Sequence, residues 1–119
     1  MTVTGKATAT FNGKVIAETD KWEVVEGNVY FPPSSTKSEY FTPNDLTTIC
    51  PWKGTARYYN IEVNGKVEPG AAWYYPECKE RAKHIEGYVA FYKTKVNIEA
   101  DPSPEQEEQK QKVTEARVV

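Results

Sequence analysis

The stretch TATFNGKVIA, residues 8–17, decides the fold class of this chain. Polar and apolar residues alternate up to Phe11, Asn12-Gly13 follows, and the chain continues with Lys14-Val15-Ile16-Ala17. Asn-Gly readily takes positive φ at both central positions of a two-residue turn, which is the geometry that a twisted hairpin requires. The stretch therefore predicts two antiparallel strands joined by a tight turn.

Two more turns of this kind follow along the chain. Asn64-Gly65 separates residues 58–63 from a short return strand, and Glu26-Gly27-Asn28 separates residues 22–25 from residues 29–31. Later runs rich in aromatic and β-branched residues, which favour strands, lie at residues 71–75, 87–92 and 95–99. Because the first hundred residues contain no long stretch of helical periodicity, the sequence predicts an all-β domain of eight or nine strands.

Two segments are expected to interrupt the strands with a short helical turn. One is residues 37–41, where Thr36 is predicted to act as the N-cap with Glu39 three residues further on, as in a capping box. The other is residues 78–85, which contain no helix breaker. After Asp101 the composition becomes polar, so we expect a single β domain over residues 1–100 and a polar tail, helical or disordered, over residues 101–119.

Composition and charge exclude several classes of function. The chain has 119 residues, enough for one domain, with 15 basic and 17 acidic residues. Three of the basic and five of the acidic residues lie in residues 101–119, which leaves the β domain neutral at twelve of each. A neutral domain is a poor candidate for binding nucleic acid. No transmembrane segment or signal peptide is recognisable, so we expect a cytoplasmic protein that does not bind membranes.

Metal and redox chemistry is limited by the two cysteines, Cys50 and Cys78, and the single histidine, His84. A structural zinc usually has four Cys or His ligands, and no C-x-x-C pair is present, so no metal site is expected. A disulfide requires an oxidising compartment that nothing in the sequence indicates, and we expect two free thiols. His84 has no obvious carboxylate partner and is interpreted as a surface or helix-end residue.

The segment Cys50-Pro51-Trp52-Lys53-Gly54 is the first candidate site. Pro51 fixes its own φ and Gly54 permits a close backbone approach, so a turn here can present Cys50 and Lys53 in a set geometry. One interpretation is a pocket wall with a nucleophile and an anion-binding group. The other is a buried inert thiol and a lysine that extends to the surface, and the residues leave both open.

The second candidate site is the aromatic run Trp73-Tyr74-Tyr75. Alternate residues of a strand share a face, so Trp73 and Tyr75 should point the same way. Core packing is the plain interpretation of such rings. Three large rings do not all fit one side of a thin sheet, however, and at least one face is expected to be partly open.

Five motifs occur together and in one order: FNGxVIAE at 11–18, VEGNxYFP at 25–32, CPWKGxAxYY at 50–59, AAWYYP at 71–76 and IxGYVAFY at 85–92. From about Lys6 to about Glu99 the chain thus resembles the domain of unknown function 427 family, also catalogued as a nucleotidyltransferase-like domain. The resemblance implies a mainly β fold with two antiparallel sheets of β-tent type. Relatives of that architecture often hold zinc between two C-x-x-C pairs, which this chain lacks, so the metal does not carry over. The family's recurrent residues fall on Glu26, Tyr30, Phe31, Cys50, Lys53, Gly54, Trp73, Tyr75 and Pro76.

We therefore expect a small-molecule pocket between the sheets, around the Cys50–Gly54 turn and the Trp73/Tyr75 strand. Lys53 would supply a positive charge for an anionic ligand such as a carboxylate or phosphate. Cys50 would be either part of the wall or a nucleophile whose thiolate Lys53 stabilises, so enzymatic activity stays open. The residues expected to line the pocket are Trp52, Tyr58, Trp73, Tyr75, Tyr30 and Glu26.

Two other functions remain open at this point. Nucleotidyl transfer, which the family label suggests, needs carboxylates that hold Mg²⁺ near phosphates, and Mg²⁺ is expected only in that case. The sequence has no Gly-Ser motif and no D-x-D or E-x-E on a predicted strand. The other alternative is a non-catalytic protein-interaction module, since an aromatic sheet face also suits a protein partner. The oligomeric state is not predicted.

Overall fold

The computed structural model describes residues 1–104 and is built mainly from β-strands. Three 3₁₀ helices occur, at Pro33–Ser35, Ser38–Tyr40 and Glu80–Ile85. The strands are β1 (Thr2–Phe11), β2 (Lys14–Val25), β3 (Asn28–Tyr30), β4 (Phe41–Cys50), β5 (Gly54–Val63), β6 (Lys66–Tyr74), β7 (Val89–Phe91) and β8 (Asn97–Asp101).

These strands form two four-stranded antiparallel sheets. The first sheet has the order β3-β2-β1-β8 and the second the order β4-β5-β6-β7. Phe31, directly after β3, exchanges two backbone hydrogen bonds with Val89 of β7, at 2.8 and 2.9 Å. This bridge places β3 beside β7, so the tip of the β2–β3 hairpin lies near the second sheet. The mainly β class with two antiparallel sheets is confirmed.

All three predicted hairpins are present, each with a two-residue loop, because Asn28, expected in the third turn, is the first residue of β3. Asn12, Glu26 and Asn64 have φ values of 48°, 54° and 51°, and each is followed by a glycine with φ between 76° and 82°. Positive φ at both positions is the type I′ geometry, whose twist matches that of the flanking strands. The β2–β3 turn differs from the other two because it places a glutamate where they place an asparagine.

The predicted helical turns are present, and the predicted cap is wrong. The second and third 3₁₀ helices lie within residues 37–41 and 78–85, as expected. Thr36, however, ends the first 3₁₀ helix: its hydroxyl donates to the Pro33 carbonyl oxygen at 2.9 Å. The reason is Pro33, because proline is favoured at the first position of a helical turn and starts one before Thr36 is reached. Ser38–Tyr40 begins after Lys37 without a side-chain cap.

Two further expectations concern chain organisation. The strand β8 extends to Asp101, one residue beyond the expected end of the β domain, and most of the predicted polar tail, residues 105–119, lies outside the described residues. Within residues 1–104, no helix combines the length and the apolar character needed to cross a bilayer.

The buried side chains form two clusters on opposite faces of the second sheet. Ile61 and Ala72 belong to the main core, which contains residues of both sheets, whereas Tyr58 and Ala90 belong to a second, smaller cluster. The opposite faces follow from the alternation of side chains along a strand. The largest fully buried members of the main core are Trp22, Phe31, Ile16 and Ile61.

Gly54 fixes the β4–β5 turn against the segment that follows β6. Its φ is +130°, and a Cβ at this position would lie 2.7 Å from the Glu77 carbonyl oxygen. The backbone N–H of Lys79 donates to the Lys53 carbonyl at 2.9 Å, and the Lys79 ammonium donates to the Pro51 carbonyl at 2.7 Å. The turn is therefore held at Pro51, Lys53 and Gly54 by Glu77 and Lys79.

We expect Gly54→Ala to lower the free energy of unfolding by roughly 2–4 kcal/mol, because it combines an unfavourable φ with a backbone clash. Gly65→Ala is the matched control, since Gly65 has φ +82° but open space around a Cβ. It should cost only about 1 kcal/mol of backbone strain. Urea unfolding measures both values, and equal losses would mean that the contact with Glu77 does not constrain the turn.

Candidate functional site

The Cys50–Gly54 segment is a hairpin connection between β4 and β5. Cys50 and Gly54 are paired across the two strands, and Pro51, Trp52 and Lys53 form the loop. The Lys53 residue is only 5% exposed, so its side chain turns inward. The alternative interpretation, in which the lysine extends to the surface, is therefore wrong.

The Lys53 ammonium donates a hydrogen bond to Glu26 Oε1 and forms an ion pair with it. The two partners are buried to very different extents: the Lys53 side chain is 7% exposed and the Glu26 side chain 55%. The Lys53 ammonium has three protons to donate. Within residues 1–104, Glu26 is the one hydrogen-bond acceptor that it contacts. The hairpin tip of the first sheet thus supplies the counter-charge for a lysine of the second sheet.

Aromatic rings surround the rest of the ammonium. Lys53 Nζ lies 4.9 Å from the centroid of the Trp52 ring and 5.8 Å from that of Tyr75, distances at which cation–π attraction operates. Trp73 Nε1 donates to the Tyr30 hydroxyl at 3.2 Å, and their rings meet edge to face. The Lys53 ammonium is therefore bounded by the rings of Trp52 and Tyr75 and by the exposed carboxylate of Glu26.

Lys53 stays protonated in this environment. Burial works to lower the pKa of Lys53, but the hydrogen bond to Glu26 and the nearby Tyr30 and Cys50 favour the charged form, and the pKa is raised above its usual value. Burial also raises the pKa of Tyr30 and Tyr75, so both phenols remain neutral. A permanent ammonium suits the binding of an anion and does not suit a Schiff-base nucleophile, which must be neutral.

The structure brings all eight predicted site residues together. Tyr30, Lys53 and Tyr75 are buried, at 1%, 5% and 6% exposed, and Trp52 and Trp73 are half-buried beside them. We call this group the Lys53 cluster; its members are Glu26, Tyr30, Cys50, Trp52, Lys53, Tyr58, Trp73 and Tyr75.

The site draws residues from both sheets but lies outside the main core. Tyr58 lies opposite Trp73 in the β5–β6 register, and both belong to the smaller cluster rather than to the main core. The strand residues of the Lys53 cluster therefore lie on the outer face of the second sheet, the face turned away from the main core, and Glu26 and Tyr30 reach them from the β2–β3 hairpin. Side-chain alternation alone did not assign the faces, because the β4–β5 and β5–β6 registers each shift once.

Glu26 occupies a strained backbone position. A glutamate with φ 54° costs about 1 kcal/mol relative to ordinary backbone, whereas asparagine, found at Asn12 and Asn64 in the equivalent turns, tolerates this region better. Strain of this kind tends to concentrate at functional sites. The carboxylate of Glu26 is thus held at the hairpin tip at the expense of the turn.

The two thiols are free and differ in environment. Cys50 is half-buried at the edge of the Lys53 cluster, whereas Cys78 is buried. Burial and the charge of Glu86 raise the pKa of Cys78, which makes it an unreactive thiol. His84 is exposed in the last turn of the third 3₁₀ helix, in line with its interpretation as a helix-end residue.

Sequence reasoning missed Tyr92. Its ring packs against Trp73 with 4.7 Å between centroids, and burial, together with a hydrogen bond with Tyr58, raises the pKa of Tyr92 to about 12. The Tyr58 hydroxyl also lies 2.9 Å from Thr48 Oγ1. Tyr92 is the last residue of the motif at 85–92, which was the signal available in the sequence. It lies two residues after Ala90, the residue that pairs with Trp73, and therefore on the same face as Trp73.

Two clefts adjoin the cluster. One, of about 580 Å³, lies behind the Cys50–Gly54 turn and is lined by Gly54, Thr55, Arg57, Pro76, Glu77, Cys78 and Lys79. The other, of about 320 Å³, lies at the far end of the cluster, beyond Tyr58 and Tyr92.

The Lys53–Glu26 pair yields a stability prediction. Glu26→Gln leaves the buried ammonium without a charged partner and should lower the free energy of unfolding by roughly 1–3 kcal/mol. Lys53→Met removes the buried charge and keeps the length of the side chain, so its effect should be below about 1 kcal/mol or stabilising. Urea unfolding at neutral pH measures both. If Lys53→Met lowers the free energy of unfolding more than Glu26→Gln does, the ion pair serves to stabilise the fold.

No curated protein matches the chain. The model of one family, described as a domain of unknown function, DUF427, matches residues 2–102, which include every strand and the whole Lys53 cluster. The chain belongs to the DUF427 family.

Proposed function

We propose that the Lys53 cluster binds a small anionic molecule whose carboxylate or phosphate replaces Glu26 on the Lys53 ammonium. The observation that carries this proposal is the unequal burial of the ion pair, 7% exposed for the Lys53 side chain and 55% for Glu26. Because the Glu26 carboxylate is already largely hydrated, moving it fully into water requires little free energy. Lys53 stays buried and forms an ion pair with the anion that takes the place of Glu26. A charge-assisted hydrogen bond forms at the same ammonium in both states.

The stability cost of the arrangement supports a binding role. Buried ion pairs are often no more stable than apolar residues of the same volume. This pair also holds Glu26 at a strained φ of 54° where the two other hairpins have asparagine. A sequence selected for stability alone would have an apolar residue at position 53 and asparagine at position 26.

The half-buried indoles of Trp52 and Trp73 provide the surface for the rest of the ligand. Indole faces pack against flat or apolar groups, and pockets for small molecules typically combine such walls with a few polar anchors. Lys53 supplies the anchor in this proposal, and the rings supply the walls.

Nucleotidyl transfer receives no comparable support from residues 1–104. That reaction uses carboxylates that hold metal ions at the phosphates. In the described part of the chain, no three His, Cys, Asp or Glu side chains converge on one point.

Thermal unfolding with phosphate, acetate, succinate and ATP with Mg²⁺ as probes tests the proposal. We expect at least one of these anions to stabilise the protein, by about 1.4 kcal/mol or several degrees at tenfold its Kd. Lys53→Met should abolish the shift, and Glu26→Gln should enlarge it because the internal competitor is gone. Lys66→Met, an exposed lysine at the β5–β6 turn, is the charge-matched control. An equal response in wild type and Lys53→Met would refute the proposal.

A catalytic role for Cys50 is tested separately, by alkylation with iodoacetamide followed by mass spectrometry. We expect Cys50 to react well before the buried Cys78, and to react more slowly in Lys53→Met, because the ammonium attracts the negative charge of the attacking sulfur. A rate that does not depend on Lys53 would leave Cys50 as part of the wall.

A further inference from the structure

We propose that the anion bound at Lys53 is a carboxylate with an apolar alkyl or aryl-alkyl chain, and that this chain lies along the outer face of the second sheet and ends in the cleft beside Tyr92. The inference rests on the proposed anion site at Lys53 and adds the chemical class of its ligand.

The strand register places both ends of this path on one sheet face. Tyr58 lies opposite Trp73, and Trp73 lies opposite Ala90. Directly opposed residues of antiparallel strands project to the same face. Tyr75 and Tyr92 each lie two residues further along and project there as well. The backbone of Tyr92 bonds to Ala71, four residues before Tyr75, so the path is about 13 Å long.

The surface along this path is aromatic and partly open. The ring of Trp73 contacts Tyr30 of the Lys53 cluster on one side and Tyr92 on the other, with 6.3 and 4.7 Å between centroids. Trp73 is half-buried, Tyr92 is 40% exposed and Leu46 is 51% exposed. Exposed apolar side chains that border a cleft are typical of a binding surface.

The cleft at the end of the path lies where two strand registers of the sheet are irregular. It has a volume of about 320 Å³, and its apolar lining comes from Leu46, Tyr58, Pro69 and Tyr92. The β4–β5 register shifts between Asn44 and Thr47, and the β5–β6 register shifts between Tyr59 and Ile61. Such irregularities occur preferentially beside functional sites.

One side chain, Asn60, holds both irregularities in place. Its Oδ1 accepts hydrogen bonds from Asn44 Nδ2 at 2.7 Å and from the Gly70 backbone N–H at 2.9 Å. These two bonds fix the backbone around the cleft, so an apolar chain needs no change of the backbone to enter it.

Lys95 at the rim of the cleft is the other cation near the path. Its ammonium donates to the Pro69 carbonyl at 2.9 Å and lies 5.9 Å from the centroid of the Tyr92 ring. Lys95 is exposed, so a carboxylate bound there competes with water, whereas one bound at Lys53 does not. The buried lysine is therefore the stronger anchor for the carboxylate.

Titration with butanoate, hexanoate and octanoate, followed by amide chemical shifts in the NMR spectrum, tests the inference. We expect affinity to rise about fourfold per added methylene until the cleft is filled. Leu46→Ser should weaken octanoate and leave butanoate unchanged. Ile49→Ser is the matched control, because Ile49 is 82% exposed on the same strand and projects to the other face. Lys53→Met should abolish binding at every chain length.

Each other outcome overturns the inference in a distinguishable way. If octanoate binds no more tightly than butanoate and Lys53→Met abolishes both, the anion site stands and the apolar chain is wrong. If the chain-length dependence survives in Lys53→Met and is lost in Lys95→Met, the carboxylate lies at Lys95 and both proposals for Lys53 are wrong. If none of the three acids binds while phosphate does, the ligand class is wrong.

Discussion

The ion pair between Lys53 and Glu26 is the interaction on which the candidate site depends. A buried ammonium requires a counter-charge, and this one comes from a residue 27 positions away in the other sheet. The requirement places a glutamate at the tip of the β2–β3 hairpin and holds it at positive φ. It also explains why the rings of Trp52 and Tyr75 face a cation rather than one another.

The fold brings the two partners together by two backbone contacts. The bridge between Phe31 and Val89 sets β3 beside β7, so the hairpin tip projects over the face that carries Trp73. The approach of Gly54 to the Glu77 carbonyl then fixes the Lys53 turn from behind. Because each partner is held by backbone rather than by the ion pair itself, the carboxylate is free to leave without unfolding either hairpin.

Local sequence signals predicted most of the fold and the residues that the fold brings together around Lys53, and long-range geometry decided the rest. The turns at Asn12 and Asn64 follow from residue type alone, and the Cys50–Gly54 segment stood out because proline and glycine restrict its backbone. The pairing of Lys53 with Glu26 has no local signal. The sheet face of the cluster was missed because two register shifts break the simple alternation of side chains. Thr36 was misplaced because two helical turns compete for it.

In the proposed anion site, the internal carboxylate of Glu26 has a consequence for selectivity. Glu26 competes with every anion to the same extent, so it lowers the affinity for small anions in general, including those abundant in any buffer. Discrimination among anions must then come from the part of the ligand outside its charged group, because Glu26 competes only with that group. On this surface that part meets the strip from Trp73 to Tyr92, where contact area rather than charge sets the free energy. In the proposed site Glu26 lowers every affinity by the same factor, so only a ligand that gains further free energy from this strip still binds at low concentration.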